Sequence, residues 1–239
     1  MEDKTMKEKT AGILGGMGPE ATVDLMRRII AHTDARDDAD HVRCIVDNNP
    51  KVPSRIKALL EGGGVSPGPC LADMARRLEA WGADFLCMAC NTAHNYYGEV
   101  RAAVGIPVLN MVELTARAAS ELAPGGAAGI LASPAVRLTG LYEGPCAALG
   151  LTPLYADGPW EQRLLQVIKD VKAGRAGEAA RAAFAEIAGH VRSRGAAVLI
   201  VACTELGVIG ARADCPQVDA ADVLARAVVD MAKGRTSPH

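Results

Sequence analysis

The feature that most constrains this chain is that it repeats itself. Gly82-Ala83-Asp84-Phe85-Leu86-Cys87-Met88-Ala89-Cys90-Asn91-Thr92 reads beside Gly195-Ala196-Ala197-Val198-Leu199-Ile200-Val201-Ala202-Cys203-Thr204-Glu205, with eight positions from glycine to cysteine in each. Both run from a glycine through an apolar strand pattern to Ala-Cys and two polar residues. Upstream, Gly12-Ile13-Leu14 recurs as Gly129-Ile130-Leu131, and downstream Ile106-Pro107-Val108 finds a looser echo in Cys215-Pro216-Gln217-Val218. A repeat of this length is a domain rather than a solenoid unit. It predicts two similar α/β halves facing each other.

Short apolar runs alternating with longer segments of helical periodicity are the pattern of parallel sheets. Strands are expected at Ala11–Leu14, Val42–Val46, Phe85–Ala89, Val108–Leu109, Ala128–Leu131, Leu151–Tyr155 and Ala197–Ala202. Helices are expected to begin near Pro19, Gly68, Tyr97, Val112, Arg137, Glu161, Gly177 and Ala220. Gly62-Gly63-Gly64 and Pro67-Gly68-Pro69 mark a loop, and Pro124-Gly125-Gly126 a break in mid-chain. The expected domains are 11–113 plus 220–239, with the C-terminal helix returning to the first half, and 114–219. Residues 1–10, charged throughout, read as a disordered leader.

The formal net charge of −2 gives no basic face for nucleic acid. No apolar run approaches a membrane span, and the N-terminus lacks the apolar centre of a secretory signal. This points to the cytoplasm, where the seven cysteines would stay free thiols. Cys87-Met88-Ala89-Cys90 has C-x-x-C spacing but no matching His or Cys cluster, so no metal is expected.

Cys90 and Cys203 each follow an apolar strand and precede polar residues, which places them at the carboxyl ends of parallel strands, where open α/β sheets bind ligands. A helix starting just after would lower a thiol pKa toward neutrality. Free cysteine is among the most buried residue types, so either one alone reads as packing. Matched on facing halves, the pair suits proton removal from one face of a carbon and proton delivery to the other. Gly15-Gly16-Met17-Gly18-Pro19-Glu20-Ala21-Thr22 follows the first strand, with Pro19 suited to a first helical turn. Its Gly16-x-Gly18-x-x-Ala21 spacing satisfies the dinucleotide fingerprint, and Asp47 could be the acidic partner, so a nicotinamide enzyme is a rival. The same loop could instead line a carboxylate site or be a tight turn without a ligand.

The segments Gly15–Thr22, Cys90-Asn91-Thr92-Ala93-His94 and Cys203-Thr204-Glu205 resemble the three signatures of the aspartate/glutamate racemase superfamily, with its aspartate racemase branch closest. The resemblance runs from about Ala11 to Met231 and implies two Rossmann-like halves related by a pseudo-twofold, no pyridoxal phosphate and no other cofactor. It implies a cytoplasmic homodimer acting on a small amino acid, aspartate or glutamate. Cys90 and Cys203 match the two catalytic bases. Asn91, Thr92 and Thr204 match residues that bind the substrate's α-carboxylate and amino group. In Asn48-Asn49-Pro50-Lys51-Val52-Pro53-Ser54-Arg55, which resembles a mobile loop, Asn49 joins the site and Arg55 matches an arginine that pairs with an acidic side chain. Lys172 matches a lysine reaching in from the other half, Ser133 and Thr139 match hydroxyls, and Met17 and Glu205 complete the pocket.

The chain departs from the family pattern at Ser54, where an acid is usual, and at Val136, where a threonine is usual, both placed near the side-chain pocket. His94 is a candidate for stabilising a thiolate at Cys90, or for orienting the loop; Glu205 could orient Cys203 or bond backbone. Trp81 and Trp160 read as packing residues. The rival activities are a maleate-type cis–trans isomerase, a hydantoin racemase and a non-catalytic amino-acid-binding protein.

Overall fold

The computed structural model describes residues 8–60, 63–175, 177–210 and 213–235. Met1–Lys7 of the expected leader and Gly62 of the expected glycine loop lie outside them. The leader's last residues are tied down: Lys9 N–H donates to Ala232 O (3.0 Å) and Thr10 N–H to Asp84 Oδ2 (2.7 Å).

The first half runs β1 (Ala11–Gly15), α1 (Pro19–His32), β2 (Cys44–Asn48), α2 (Arg55–Leu60), α3 (Gly68–Ala80), β3 (Phe85–Met88), α4 (Tyr97–Ala102) and α5 (Met111–Leu122). The second runs β4 (Ala127–Leu131), α6 (Pro134–Leu138), α7 (Glu143–Ala148), β5 (Thr152–Tyr155), α8 (Pro159–Lys172), α9 (Glu178–Ser193), β6 (Val198–Val201), α10 (Thr204–Val208), β7 (Gln217–Asp219) and α11 (Ala220–Ala232). The strands form two parallel sheets, ordered β2-β1-β3 and β5-β4-β6-β7. β1, β3 and β6 are buried at every residue, as strands covered by helices on both faces must be.

The repeat has a packing cause. Gly12 pairs with Leu86 and Gly129 with Leu199. A methyl on Gly12 would lie 2.5 Å from Leu86 Cδ2 and 2.9 Å from Ala83 Cβ; on Gly129 it would lie 2.6 Å from Leu199 Cδ2 and 3.1 Å from Ala196 Cβ. The same leucine–alanine pair presses on the same missing side chain in both halves.

Several boundaries differ from the sequence expectation: the strand expected at Val42–Val46 runs Cys44–Asn48, and the helix expected near Glu161 starts at Pro159. Val108–Leu109 is not a strand: a single bridge, Leu86 to Val108, joins it to β3. Its echo does extend, into β7, which the sequence pattern did not mark as a strand. The approach is shared, since Leu86 N–H donates to Pro107 O at 2.8 Å and Leu199 N–H to Pro216 O at 2.9 Å. The chain turns into α5 two residues after Leu109, with the Asn110 side chain capping Val112 N–H and Glu113 N–H, which leaves no length for a ladder. The helix expected from Arg137 starts at Pro134, where a proline fits the first turn.

Each half ends by lending a helix to the other. Val112, Ala116 and Ala119 of α5 pack among Ala128, Ile130, Tyr142, Val198 and Ile200 of the second half. Leu224, Ala225, Val228 and Val229 of α11 pack among Ala11, Ile13, Leu25, Ile29 and Phe85 of the first. No described helix is long and apolar enough to cross a membrane.

Because the glycine–leucine contact leaves no room for a methyl group, Gly12→Ala and Gly129→Ala should each destabilise the fold by about 1–3 kcal/mol, read as a lower urea midpoint. Unchanged midpoints in both would show that the leucines yield freely.

Candidate active site

The carboxyl ends of β1, β3, β4 and β6 deliver their loops to one cleft at the seam of the halves, about 450 Å³ counted out to its mouth. Cys90, two residues past β3, and Cys203, two residues past β6, both line it and are each 7% exposed. Around them stand Met17, Arg55, Asn91, Thr92, Ser133, Lys172, Thr204 and Glu205, all singled out in the sequence.

Cys203 heads a charged chain. Its thiol donates to Glu205 Oε2 at 3.0 Å, and Glu205 Oε1 lies 3.3 Å from Lys172 Nζ. Burial pushes the Cys203 pKa well up, the negative charge and hydrogen bond of Glu205 push it further, and Lys172 opposes them. Cys203 therefore holds its proton. Burial draws Lys172 down, but Glu205 and the charge of both sulfurs outweigh it, so its pKa is raised and the ammonium persists.

The expectation that following helices would acidify the thiols does not hold for Cys203. The helix it caps has five residues, and desolvation dominates. Cys90 is followed by a 3-10 turn over Thr92–Tyr96 rather than an α-helix.

Hydroxyls from the two halves meet where Thr92 Oγ1 lies 3.2 Å from Ser133 Oγ. Tyr142, fully buried in the second half, donates its hydroxyl to Asn91 Oδ1 at 2.7 Å. With that oxygen engaged, the buried Asn91 Nδ2 has no hydrogen-bond partner among the described residues. A donor buried in a cleft without a partner costs free energy until a ligand satisfies it. Tyr142 escaped the sequence reading because a lone tyrosine before a short helix carries no pattern; Ile56 and Ile168, which also line the cleft, read only as apolar positions.

His94 is buried, with Nδ1 2.9 Å from Cys90 O and Nε2 accepting from Met111 N–H at 3.1 Å. Burial lowers its pKa to about 4, although the hydrogen bonds act the other way. It is a neutral imidazole that ties the Cys90 loop to α5, and it has no positive charge to offer a thiolate at neutral pH.

Other expected site residues lie elsewhere. Asn49 does not line the cleft: its Nδ2 lies 3.7 Å from both Cys70 Sγ and Met74 Sδ, and its Oδ1 accepts from Lys51 N–H. Thr139 is exposed at the end of α6, donating to Ala135 O at 2.7 Å, and it too is outside the cleft lining. Val136 is a core residue with no exposure, whereas Ser54 does line the cleft. Arg55 lines the cleft, but its Nη1 donates to Val52 O (3.3 Å) and Pro53 O (3.1 Å) and its Nη2 to Met17 O (3.2 Å), clamping the loops after β1 and β2 together. Trp160 stacks on His190, ring centroids 4.8 Å apart, and Trp81 is 59% exposed rather than packed.

The glycine loop serves its own helix. Gly16, at φ +87°, donates its N–H to Thr22 Oγ1 at 2.9 Å, and a side chain there would strike the Asn49 backbone at 2.2 Å. Gly16, the first glycine of the fingerprint spacing, thus makes the tight turn from β1 and ties it to α1. The described cysteines are all free thiols, and among the described residues no group of three His, Cys, Asp or Glu is placed to hold a metal ion.

A family model described as Asp/Glu/Hydantoin racemase matches residues 14–228. The chain belongs to this family and is an isomerase of the amino-acid racemase type, on its aspartate racemase branch. It is 26% identical over 224 residues to the broad specificity amino-acid racemase RacX of Bacillus subtilis (strain 168), a match covering 91% of this chain and 96% of the relative. The structure of Picrophilus torridus aspartate racemase superposes with a TM-score of 0.83 at 31% identity, over 94% of each chain. Glutamate racemase from Francisella tularensis subsp. tularensis SCHU S4, solved with D-glutamate, shares the fold: TM-score 0.64, 14% identity, 98% of this chain and 85% of that one.

Two outcomes are expected. Between its free value of 6.5 and its folded value of about 4, His94 takes up a proton only in the unfolded chain, so stability falls as pH drops through that window. The loss should be about 2 kcal/mol, and His94→Gln should lack it when urea unfolding is compared at pH 7 and pH 4.5; equal losses in both proteins would mean that His94 titrates normally. Tyr142→Phe should raise KM about tenfold through a freed Asn91 amide, with kcat changed less than about threefold. A fall in kcat at constant KM would remove Tyr142 from substrate binding.

Proposed function

We propose that this chain interconverts L- and D-α-amino acids without a cofactor, passing the Cα proton between Cys90 and Cys203. The observation that carries the reading is the pair of thiols, delivered by matched strands of the two halves to one buried cleft. The substrate's α-carboxylate is held by Asn91 Nδ2 and by the hydroxyls of Thr92 and Thr204. In one direction Cys90 acts as a thiolate: the Cα–H bond breaks, its proton forms a new S–H bond on Cys90, and the electron pair stays on Cα. Cys203 then gives its S–H proton to the opposite face and becomes the thiolate. The reverse direction exchanges the roles. Lys172 stands ready to offset the charge that appears on Cys203, since its ammonium feels both sulfurs. Preorganised donors and this ammonium, in a site that excludes bulk water, supply stabilisation where no electron sink is bound.

The acidic substrate implied by the resemblance has competition in this cleft. A side-chain carboxylate has to draw Lys172 away from Glu205, or Arg55 away from the carbonyls it clamps. We therefore read the α-carboxylate as the group recognised and the side chain as open to choice, in line with the broad specificity named for RacX.

Solvent-deuterium incorporation at Cα, followed by NMR over a panel of L- and D-amino acids with no cofactor added, tests this. Exchange with inversion is expected for at least one amino acid, and both Cys90→Ala and Cys203→Ala should lose inversion by about 10²–10⁴-fold or more. A single variant that still inverts at the wild-type rate would sink the two-thiol scheme.

A further inference from the structure

The catalytic cleft adjoins a second space, and Met17, Arg55, Lys172 and Glu205 stand at the junction of the two. The second space is a chamber of about 800 Å³ counted out to its mouth, between the first turn of α1 in one half and the ends of α8 and α10 in the other. The two spaces share those four residues. The carboxylate at the junction comes close to α1, since a methyl on Gly18 would sit 3.6 Å from Glu205 Oε1.

The chamber's own surface is aliphatic. Ala21 and Val171 are buried in it, Val208 is half-buried and Pro19 stands at the rim. Its charges are balanced, with Arg55 and Lys172 against Glu20 and Glu205. Lys172 and Glu205 are paired, and Arg55 is hydrogen-bonded to backbone carbonyls. Such a surface attracts neither an anionic nor a cationic group in particular, and it rewards the burial of methylenes.

We propose that this chamber receives the side chain of the amino acid whose Cα lies between the thiols, and that it selects long, unbranched, uncharged side chains of the norleucine and methionine class. The inference rests on the racemase reading. Ala21 is a small, buried residue of α1 on the lining of the chamber, and Ala21→Phe adds bulk at that position. Val208 closes the opposite wall. Neither residue lines the cleft that holds the two sulfurs.

The test is kcat/KM for the series alanine, 2-aminobutyrate, norvaline, norleucine, with aspartate and lysine alongside, in wild type, Ala21→Phe and Val208→Trp. In wild type kcat/KM should rise along the series, by up to about fourfold for each methylene buried, and norleucine should exceed both charged amino acids. Each variant should lower norleucine at least tenfold and leave alanine within about twofold, with alanine turnover reporting that the variant has folded. Calorimetric binding of norleucine to the Cys90→Ala/Cys203→Ala double variant, weakened by adding Val208→Trp, gives a readout besides turnover. A series that is flat or falling in wild type, or variants that lower alanine and norleucine equally, would overturn the inference while the racemase reading stands. Wild type that racemises no amino acid would overturn that reading itself.

Discussion

The reciprocal exchange of α5 and α11 is the constraint on which the rest of the molecule depends. Each half completes its core with a helix that follows the last extended segment of the other, so neither core is whole without the second half. The geometry of the seam is thereby set by close-packed aliphatic side chains, which resist displacement because every void costs contacts on several sides. The cleft inherits that rigidity. Tyr142 to Asn91 and Thr92 to Ser133 cross it, and Arg28 of α1 reaches over to Gly207 O at 3.0 Å while pairing with Asp219 at 3.0 Å. Residues 41 to 191 positions apart in the chain are held at hydrogen-bond distance by packing that lies well outside the site.

That packing also buries the two sulfurs, which sets the terms of their chemistry. A buried thiol gives up its proton reluctantly, and Cys203 has a carboxylate beside it that makes ionisation harder still. Lys172 is the counterweight. Removing water strengthens the ammonium's attraction for any thiolate at the same time as it raises the cost of forming one. The arrangement places the sulfur, the carboxylate and the ammonium in one line of contact across the seam.

Much of the fold was legible because its causes are local and repeated. Buried strands read as apolar runs, and Gly12 and Gly129 recur because the same leucine–alanine contact recurs. Cys90 and Cys203 could be placed because strand ends in parallel sheets converge, and most residues near them because the segments that carry them resemble the racemase signatures. What stayed hidden depends on direction or length. Asn49 and Thr139 have suitable chemistry, but their side chains point into other contacts, and sequence carries no rotamers. Short helices such as α7, with Gly144 and Pro145 inside it, fall below the length at which a period is visible. His94 was read with both roles open, because its protonation follows from burial and from the carbonyl and amide that flank it. Arg55 shows the same limit: its position was readable, but the carbonyls it binds were not.

The repeat that organises the molecule fails at one informative place. Aligning Cys90 with Cys203 sets Asn91 against Thr204 and Thr92 against Glu205, so an acid attends one thiol and a hydroxyl the other. For a racemase this lopsidedness has a thermodynamic boundary. Mirror-image amino acids have the same free energy in water, so no catalyst can make one of them accumulate, and the two directions must share one specificity constant. Glu205 cannot favour a handedness. In the two-thiol scheme proposed above, it can only bias which of two free forms of the protein, proton on Cys203 or proton on Cys90, waits for the next molecule. Each form accepts one enantiomer, and each turnover leaves the other form behind. Sustained conversion in a single direction then requires the empty cleft to carry a proton back from one sulfur to the other, and Glu205 and Lys172 lie beside the sulfur where that return ends in one direction and begins in the other.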